Sequence, residues 1–181
     1  MEELRILILS EKKEFFLIDF LKTKGSVSCL NVKIKVEDVL NFDWIVSYGY
    51  RHIIPKEILN TVKNPIINLH ISYLPFNRGS HPNYWSFKEK TKKGVTIHFI
   101  DQGIDTGPIL IQKEVEFNLN DTLNSSYLKL KQEIEILFKE NFNEIISGNL
   151  KPKPQIGKGT FHTKSQLPKF LDWDININNI K

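Results

Sequence analysis

The chain has 181 residues, of which 40% are hydrophobic and 25% charged, with a formal net charge of +4. That length buries roughly 70% of the unfolded surface in a core, and the composition excludes a disordered or low-complexity architecture. The basic surplus is small and lacks interleaved aromatics, so no nucleic-acid partner is implied.

Its densest basic spots, Lys90-Thr91-Lys92-Lys93 and Lys151-Pro152-Lys153, read as solvated loop charge, with phosphate contact as the other reading. The lone cysteine, Cys29, excludes an intramolecular disulfide and a zinc knuckle; it lies in an apolar run and is expected in the core. No window approaches the ~18 apolar residues of a membrane span, and no charged-then-apolar leader opens the sequence. A cytoplasmic protein with no membrane partner is therefore expected.

Residues 4–9 are a continuous apolar run, the mark of a strand covered on both faces. Residues 11–22 place Phe15, Phe16, Ile18 and Leu21 at near-helical spacing, and Gly25 is expected to stop that helix. A second strand is expected over 27–32 and a third, buried, over 43–47. Pro55 suits the first turn of a short helix over 56–61, followed by a strand over 65–69. The order strand, helix, strand, strand, helix, strand predicts an α/β fold with a Rossmann-like, mostly parallel sheet flanked by helices.

The pattern then changes. Residues 82–90 predict a helix with Tyr84, Trp85 and Phe87 as its apolar side, and Gly94 breaks it. Residues 95–100 alternate strictly and 108–117 are rich in β-formers, which predicts an antiparallel addition to the parallel sheet. The loop between them, 101–107, exceeds a two-residue turn and carries Gly103 and Gly107. Asp121 is expected to cap a long helix, in which Leu123, Tyr127, Leu130, Ile134, Leu137, Phe138 and Phe142 recur three or four apart until Gly148. Residues 1–150 are thus expected to form the catalytic unit, and 151–181 a short extension rather than a second domain.

Asn68 and His70 stand two apart at a strand end, so their side chains share a face at the edge where α/β sheets place their sites. They either work there or satisfy local backbone groups. Leu74-Pro75 and Arg78-Gly79 make a sharp turn that sets a guanidinium at a pocket mouth or leaves one solvated arginine. Thr96 and His98 alternate on one strand face, as a lined pocket or a hydrogen-bonded core histidine would require. Asp105 lies in the glycine-flanked loop, and an acid near His70 would raise its pKa and fix its tautomer. No His/Glu pair has zinc-protease spacing, no serine sits in a nucleophile elbow, and Ser10-Glu11-Lys12 is poor for cradling a phosphate. No metal is expected.

The combined pattern is more specific than its parts. Asn68-x-His70-x-Ser72-x-Leu74-Pro75, Arg78-Gly79, Gly94-x-Thr96-x-His98 and Asp105-x-Gly107-x-Ile109-x-x-Gln112 resemble the formyltetrahydrofolate-dependent formyltransferases. The resemblance covers residues 43–117 closely, the first strand loosely and the tail in part. It implies N10-formyltetrahydrofolate as formyl donor and Asn68, His70 and Asp105 as the catalytic set. It assigns Tyr50, Arg51, His52, Ile53, Asp101, Gly103 and Ile104 to the folate walls, with Ser72, Thr96 and His98 in support. An amine would attack the formyl carbon, Asn68 and a protonated His70 would stabilise the oxyanion, and Asp105 would hold His70 and help move the proton.

Within the family, the missing glycine-bearing loop departs from the purine enzyme, and the short stretch after the long helix departs from the tRNA enzyme. The run from Leu74 to Ser86 and the tail Gly159-Thr160-Phe161-His162 resemble nucleotide-sugar N-formyltransferases, which implies a nucleotide-linked deoxyamino sugar, dTDP-linked in the first instance, as acceptor. Asn77, Arg78, Asn83 and Trp85 are then expected to border that acceptor, with core packing as the other reading for Trp85. Phe170 and Trp173 are candidate contacts of a homodimer. A glycinamide ribonucleotide or methionyl-tRNA formyltransferase, a formyltetrahydrofolate hydrolase and a non-catalytic folate-binding protein remain the alternatives.

Overall fold

A computed structural model describes residues 3–11 and 15–180 of the chain. The first half contains β1 (Leu4–Leu9), α1 (Phe15–Lys22), β2 (Gly25–Leu30), β3 (Trp44–Ser47), α2 (Lys56–Thr61) and β4 (Ile67–His70). The second contains β5 (Arg78–Gly79), α3 (Pro82–Lys88), β6 (Gly94–Phe99), β7 (Ile109–Glu114), α4 (Leu123–Ile146) and β8 (Phe161–His162). Six strands form one sheet in the order β2-β1-β3-β4-β6-β7. β1 pairs in parallel with β2 and β3, and β3 with β4; β6 and β7 continue the sheet antiparallel. The mixed α/β architecture is the one the sequence predicts.

β1 carries apolar residues on both faces because both are covered. Ile6 and Ile8 pack with Leu17, Leu21, Ile134 and Phe138, whereas Leu7 and Leu9 pack with Ile45, Ile58 and Ile66 on the other side. Full burial of each such side chain stabilises the fold by about 1.5–3 kcal/mol. α4 begins at a capping box: Thr122 Oγ1 accepts from the Ser125 N–H, and Ser125 Oγ accepts from the Thr122 N–H. Thr122 is therefore the cap, and Asp121, expected in that role, instead accepts from Asn118 N and Ser125 Oγ.

Other expectations are corrected near the N-terminus. The proposed helix start at 11–14 lies mostly outside the described residues, and the buried stripe of α1 is Leu17 and Leu21, one turn apart, with Phe16 exposed under the Lys139 ammonium. Gly25 does not stop the helix but opens β2, where a Cβ would lie 2.0 Å from the Leu4 carbonyl oxygen. β2 consequently runs earlier than 27–32 and occupies the sheet edge, so Cys29 is exposed rather than buried.

The tail is tied back at several points. Lys153 bridges to Ile109, β8 pairs in parallel with β5, and Ile177 packs against Tyr84, Phe87 and Leu123. The β5–β8 pair is too short for any sequence periodicity to announce. Among the described residues, no helix is long and apolar enough to cross a membrane, and no group of three or more metal-ligating side chains is found.

Candidate active site

A cavity of about 1080 Å³ opens at the C-terminal ends of β1, β3 and β4. The sheet order reverses between β1 and β3, and such a switch point is where open α/β sheets leave a crevice. Antiparallel register sets Asn68 on β4 opposite His98 on β6, and His70 opposite Thr96. Directly opposed side chains share a face within contact distance, so four polar groups are gathered by pairing alone.

The cluster is tightly interlocked. His98 Nδ1 lies 2.8 Å from the Phe99 carbonyl, which only accepts, so a proton sits on Nδ1, and Nε2 faces Asn68 and Asp105 Oδ1, the latter at 3.6 Å. Asn68 Nδ2 lies 3.0 Å from that Nε2 and donates to Asp105 Oδ1 at 3.1 Å. Reversing the amide would set its oxygen against a carboxylate. Both Asn68 amide hydrogens are thus engaged within the protein. Asp105 Oδ2 accepts the Gly79 N–H at 2.8 Å and lies 3.7 Å from His70 Nδ1. On the far side of its ring, His70 Nε2 lies 3.3 Å from the Asn77 carbonyl, which places the ring proton there and leaves Nδ1 facing Asp105.

Electrostatics separate the two titrating partners. Burial pulls the His70 pKa down; Asp105 pulls it up, His98 opposes protonation, and the net shift is downward. The expected rise caused by a neighbouring acid is therefore outweighed by desolvation, and His70 is neutral at neutral pH. Burial pushes Asp105 up, but the His70 and His98 imidazoles and the Gly79 N–H outweigh it and hold the carboxyl well below the usual carboxylate range. The pair is a neutral base beside a fixed anion.

Around this floor, the residues assigned to the donor walls all line the cavity. The Tyr50 hydroxyl donates to the Val32 carbonyl at 2.7 Å and accepts from Ile34 N at 3.2 Å, which ties the wall to residues 32–34. Arg51 pairs with Glu11 at 2.7 Å, and the His52 ring lies 5.2 Å edge-on from Tyr50. Asp101 shapes the opposite loop by accepting from Gly103 N and Thr106 Oγ1. Ile53 and Ile104 leave 74% and 46% of their surface exposed, an apolar wall suited to a flat ring system.

The supporting residues act one layer away. Thr96 Oγ1 donates to the Ser72 carbonyl and accepts from Leu74 N, and Ser72 Oγ donates to the Phe76 carbonyl. Gln112 joins them by donating to the Leu74 carbonyl and Thr96 Oγ1, fixing the 72–76 turn, in which the Leu74–Pro75 peptide is cis.

The acceptor residues expected from sequence fare differently. Asn83 lines the cavity, yet its amide donates to the Leu123 carbonyl and Ser126 Oγ. Asn77 is fully buried, and its side chain bonds Glu89 and Thr91. The Arg78 guanidinium points away from the mouth and donates twice to Gln155 Oε1. Trp85 stacks on His162 with ring centroids 3.9 Å apart. The reason is helical geometry: Pro82, Asn83 and Tyr84 face the cavity, and one further residue turns Trp85 about 100° away.

Gly79 and Gln155 hold this cluster in place, and of the two only Gln155 lies outside the sequence pattern. Gln155 Nε2 donates to the carbonyls of Asp105 and Gly107, both at 2.8 Å, so one side chain clamps the acid-bearing loop and Arg78 together. Gly79, at φ 86°, supplies the N–H that holds Asp105, and β8 backs it so closely that a Cβ would meet the His162 carbonyl at 2.3 Å. The rim is formed by His81, Tyr127, Lys164 and Trp173, of which the last two come from the extension.

Comparison with known proteins accords with this geometry. Residues 21–140 match the profile of the formyl transferase family. The chain is 41% identical over 147 residues to a methionyl-tRNA formyltransferase of Thermodesulfovibrio yellowstonii, covering 81% of this chain and 47% of that protein. It is 30% identical over 140 residues to a dTDP-4-amino-4,6-dideoxyglucose formyltransferase of Mycobacterium bovis, covering 77% and 59%. The chain thus spans about half the length of the curated relatives it matches. Among solved structures, the formyltransferase PseJ from Anoxybacillus kamchatkensis, in complex with UDP-4,6-dideoxy-4-formamido-L-AltNAc and tetrahydrofolate, superposes with a TM-score of 0.92. It is 41% identical and the match covers 97% of both chains.

Proposed function

The chain belongs to the formyl transferase family, and we propose that it transfers a formyl group from N10-formyltetrahydrofolate to the amine of a nucleotide-linked deoxyamino sugar. The observation that carries the reading is the interlocked Asn68–His70–His98–Asp105 cluster: Asn68, His98 and Asp105 line a cavity with one apolar wall and one basic, aromatic rim, and His70 lines a smaller adjoining cavity that shares Asn68 and Asp105. Likeness over 97% of both chains to a sugar formyltransferase supports an amino-sugar acceptor over the methionyl-tRNA that the T. yellowstonii relative is named for. The uridine diphosphate carrier of the Anoxybacillus complex, at 41% identity, supports UDP ahead of the dTDP carrier expected from sequence.

The bound folate supplies an activated formyl carbon. The residues of the chain supply the rest. Neutral His70 would take the proton released by the attacking amine at Nδ1, ionised Asp105, 3.7 Å away, would stabilise the imidazolium so formed, and the same proton would pass to the departing donor nitrogen as its bond to the formyl carbon breaks. Negative charge developing on the carbonyl oxygen competes with Asp105 Oδ1 for one Asn68 amide hydrogen, while His98 keeps the other and fixes the amide plane. Gly79 N–H and Gln155 hold Asp105 still through this exchange.

The test incubates the protein with N10-formyltetrahydrofolate and, separately, UDP-amino sugars, dTDP-amino sugars and initiator methionyl-tRNA. Tetrahydrofolate release that depends on an amino sugar is expected. Release without acceptor indicates a hydrolase, release only with tRNA indicates the tRNA enzyme, and no folate binding removes the reading. The corresponding location is cytoplasmic. A homodimer through Phe170, which is 98% exposed, is proposed alongside; a monomer by light scattering ends that proposal.

A further inference from the structure

We propose that the segment after α4 builds a nucleoside-diphosphate subsite at the cavity rim, with the Trp173 indole as the platform for the base and Lys164 with His81 as the seat of the diphosphate. The inference rests on the amino-sugar reading above and adds which part of the chain recognises the nucleotide. None of the residues expected from sequence to meet the acceptor takes this role.

Four observations converge. The first is that Trp173 is placed rather than loose. Its carbonyl accepts the N–H of Asn124 at 2.8 Å, in the first turn of α4, and the Ile175 carbonyl accepts that of Leu123 at 3.0 Å. Ile177, a few residues on, is buried among Tyr84, Phe87 and Leu123. Despite this anchoring, Trp173 keeps 41% of its surface exposed and lines the cavity. A fixed, half-open indole is a stacking surface for a planar base.

The second is the company it keeps. The His81 ring lies 5.9 Å from Trp173 at a tilt of 45°, on the residue that precedes α3. Burial, then the charges of Lys164 and Arg51, lower the His81 pKa, which places both cations within electrostatic reach of the same ring. The third is the charge balance. Arg51 is paired with Glu11, and Asp101 spends one carboxylate oxygen on Gly103 and Thr106. Lys164 has no carboxylate partner among the described residues, so its ammonium is open to an anionic ligand. A diphosphate is the complementary group, and Lys164 and His81 give it two donors of the required type.

The fourth is the arrangement of the two ends. Ile53 and Ile104 line the same cavity as Trp173 and Lys164, with Asn68 and Asp105 also in its lining. An apolar donor wall and a basic, aromatic rim divide the cavity between two ligands whose reacting ends meet at the acid.

The experiment measures UDP binding and tetrahydrofolate binding separately on the whole chain by calorimetry. UDP is expected to bind the wild type and quench tryptophan fluorescence. Trp173→Ala and Lys164→Ala are each expected to weaken UDP roughly tenfold, the scale of one stacked base or one charged contact. Trp173→Phe should retain most of the affinity, and none of the three should change tetrahydrofolate binding. With a UDP-amino sugar, KM should rise in Trp173→Ala while kcat holds. Equal UDP affinity in wild type and Trp173→Ala, a parallel loss of tetrahydrofolate affinity, or no UDP binding to a wild type that binds tetrahydrofolate would each overturn the inference. The last result leaves formyl transfer to another amine intact. UDP bound through Trp173 with no amino sugar formylated supports the subsite and removes the acceptor reading.

Discussion

The floor and the rim of the cavity are built on opposite terms. At the floor, Asn68, His70, His98 and Asp105 are largely buried, and their polar atoms are engaged mainly by one another and by the Gly79, Asn77 and Phe99 backbone. At the rim, Trp173 and Lys164 are anchored through backbone bonds and a short 3-10 turn; the Trp173 indole meets the His81 ring yet stays 41% exposed, and Lys164 has no carboxylate partner among the described residues. A buried network sets charge and tautomer in advance, which is what a reacting centre needs. A half-exposed rim keeps its groups available, which is what recognition needs.

That contrast predicts large effects on turnover from the floor, with the greatest from Asp105→Asn. It removes the anion that holds the His70 imidazolium, so kcat should fall about 10⁴-fold, the upper end for a positioned acid–base group. Asn68→Ala should cost about 10²–10³, the scale of one donor to a developing oxyanion. Single-turnover rates with saturating folate check both, and near wild-type rates in both would remove the mechanism. Gly79→Ala follows. A Cβ there meets the His162 carbonyl at 2.3 Å in a positive-φ backbone, so stability should drop on the order of 1–3 kcal/mol, read as a lower Tm together with a lower kcat.

Gln155→Ala is expected to lower kcat roughly tenfold with little change in folate KM, because it loosens the loop carrying Asp105 rather than the donor wall. Gln155→Glu keeps an acceptor for Arg78 but loses both donors, so a similar kcat loss there shows that the clamp on the loop is what matters. The smallest effect concerns pH. The folded pKa of His70 lies below its unfolded value of 6.5, so the unfolded chain binds more protons between the two. The stability that His70 contributes is therefore full above pH 6.5 and lost as pH falls towards the folded value. Wild type should lose Tm across that interval, and His70→Gln should lose less.

Legibility in the sequence followed the same division. The runs at 4–9, 43–47 and 95–100 announced β1, β3 and β6 to within a residue at either end because buried strands are written as apolar runs or alternation, and α2 was predicted at its observed bounds because proline marks its start. Asn68, His70 and Asp105 were legible because their spacing matches a family pattern, and the register of β4 against β6 then brought His98 to Asn68. Gln155 was not legible, since a polar residue after a Lys-Pro-Lys-Pro stretch has no periodicity and contacts a loop about fifty residues away. Of the two readings left open for Trp85, the stack on His162 accords with packing, a choice that composition does not resolve.

By itself, then, the sequence determined the α/β class and the antiparallel addition and singled out Asn68, His70 and Asp105 as candidates, because hydrophobic periodicity and motif spacing are local properties of a chain. Only the tertiary structure decided that His70 is neutral, that Gly79 and Gln155 hold Asp105, and that Trp173 and Lys164 stand at the rim. Desolvation, long-range hydrogen bonds and the lining of a cavity depend on groups that meet only after folding.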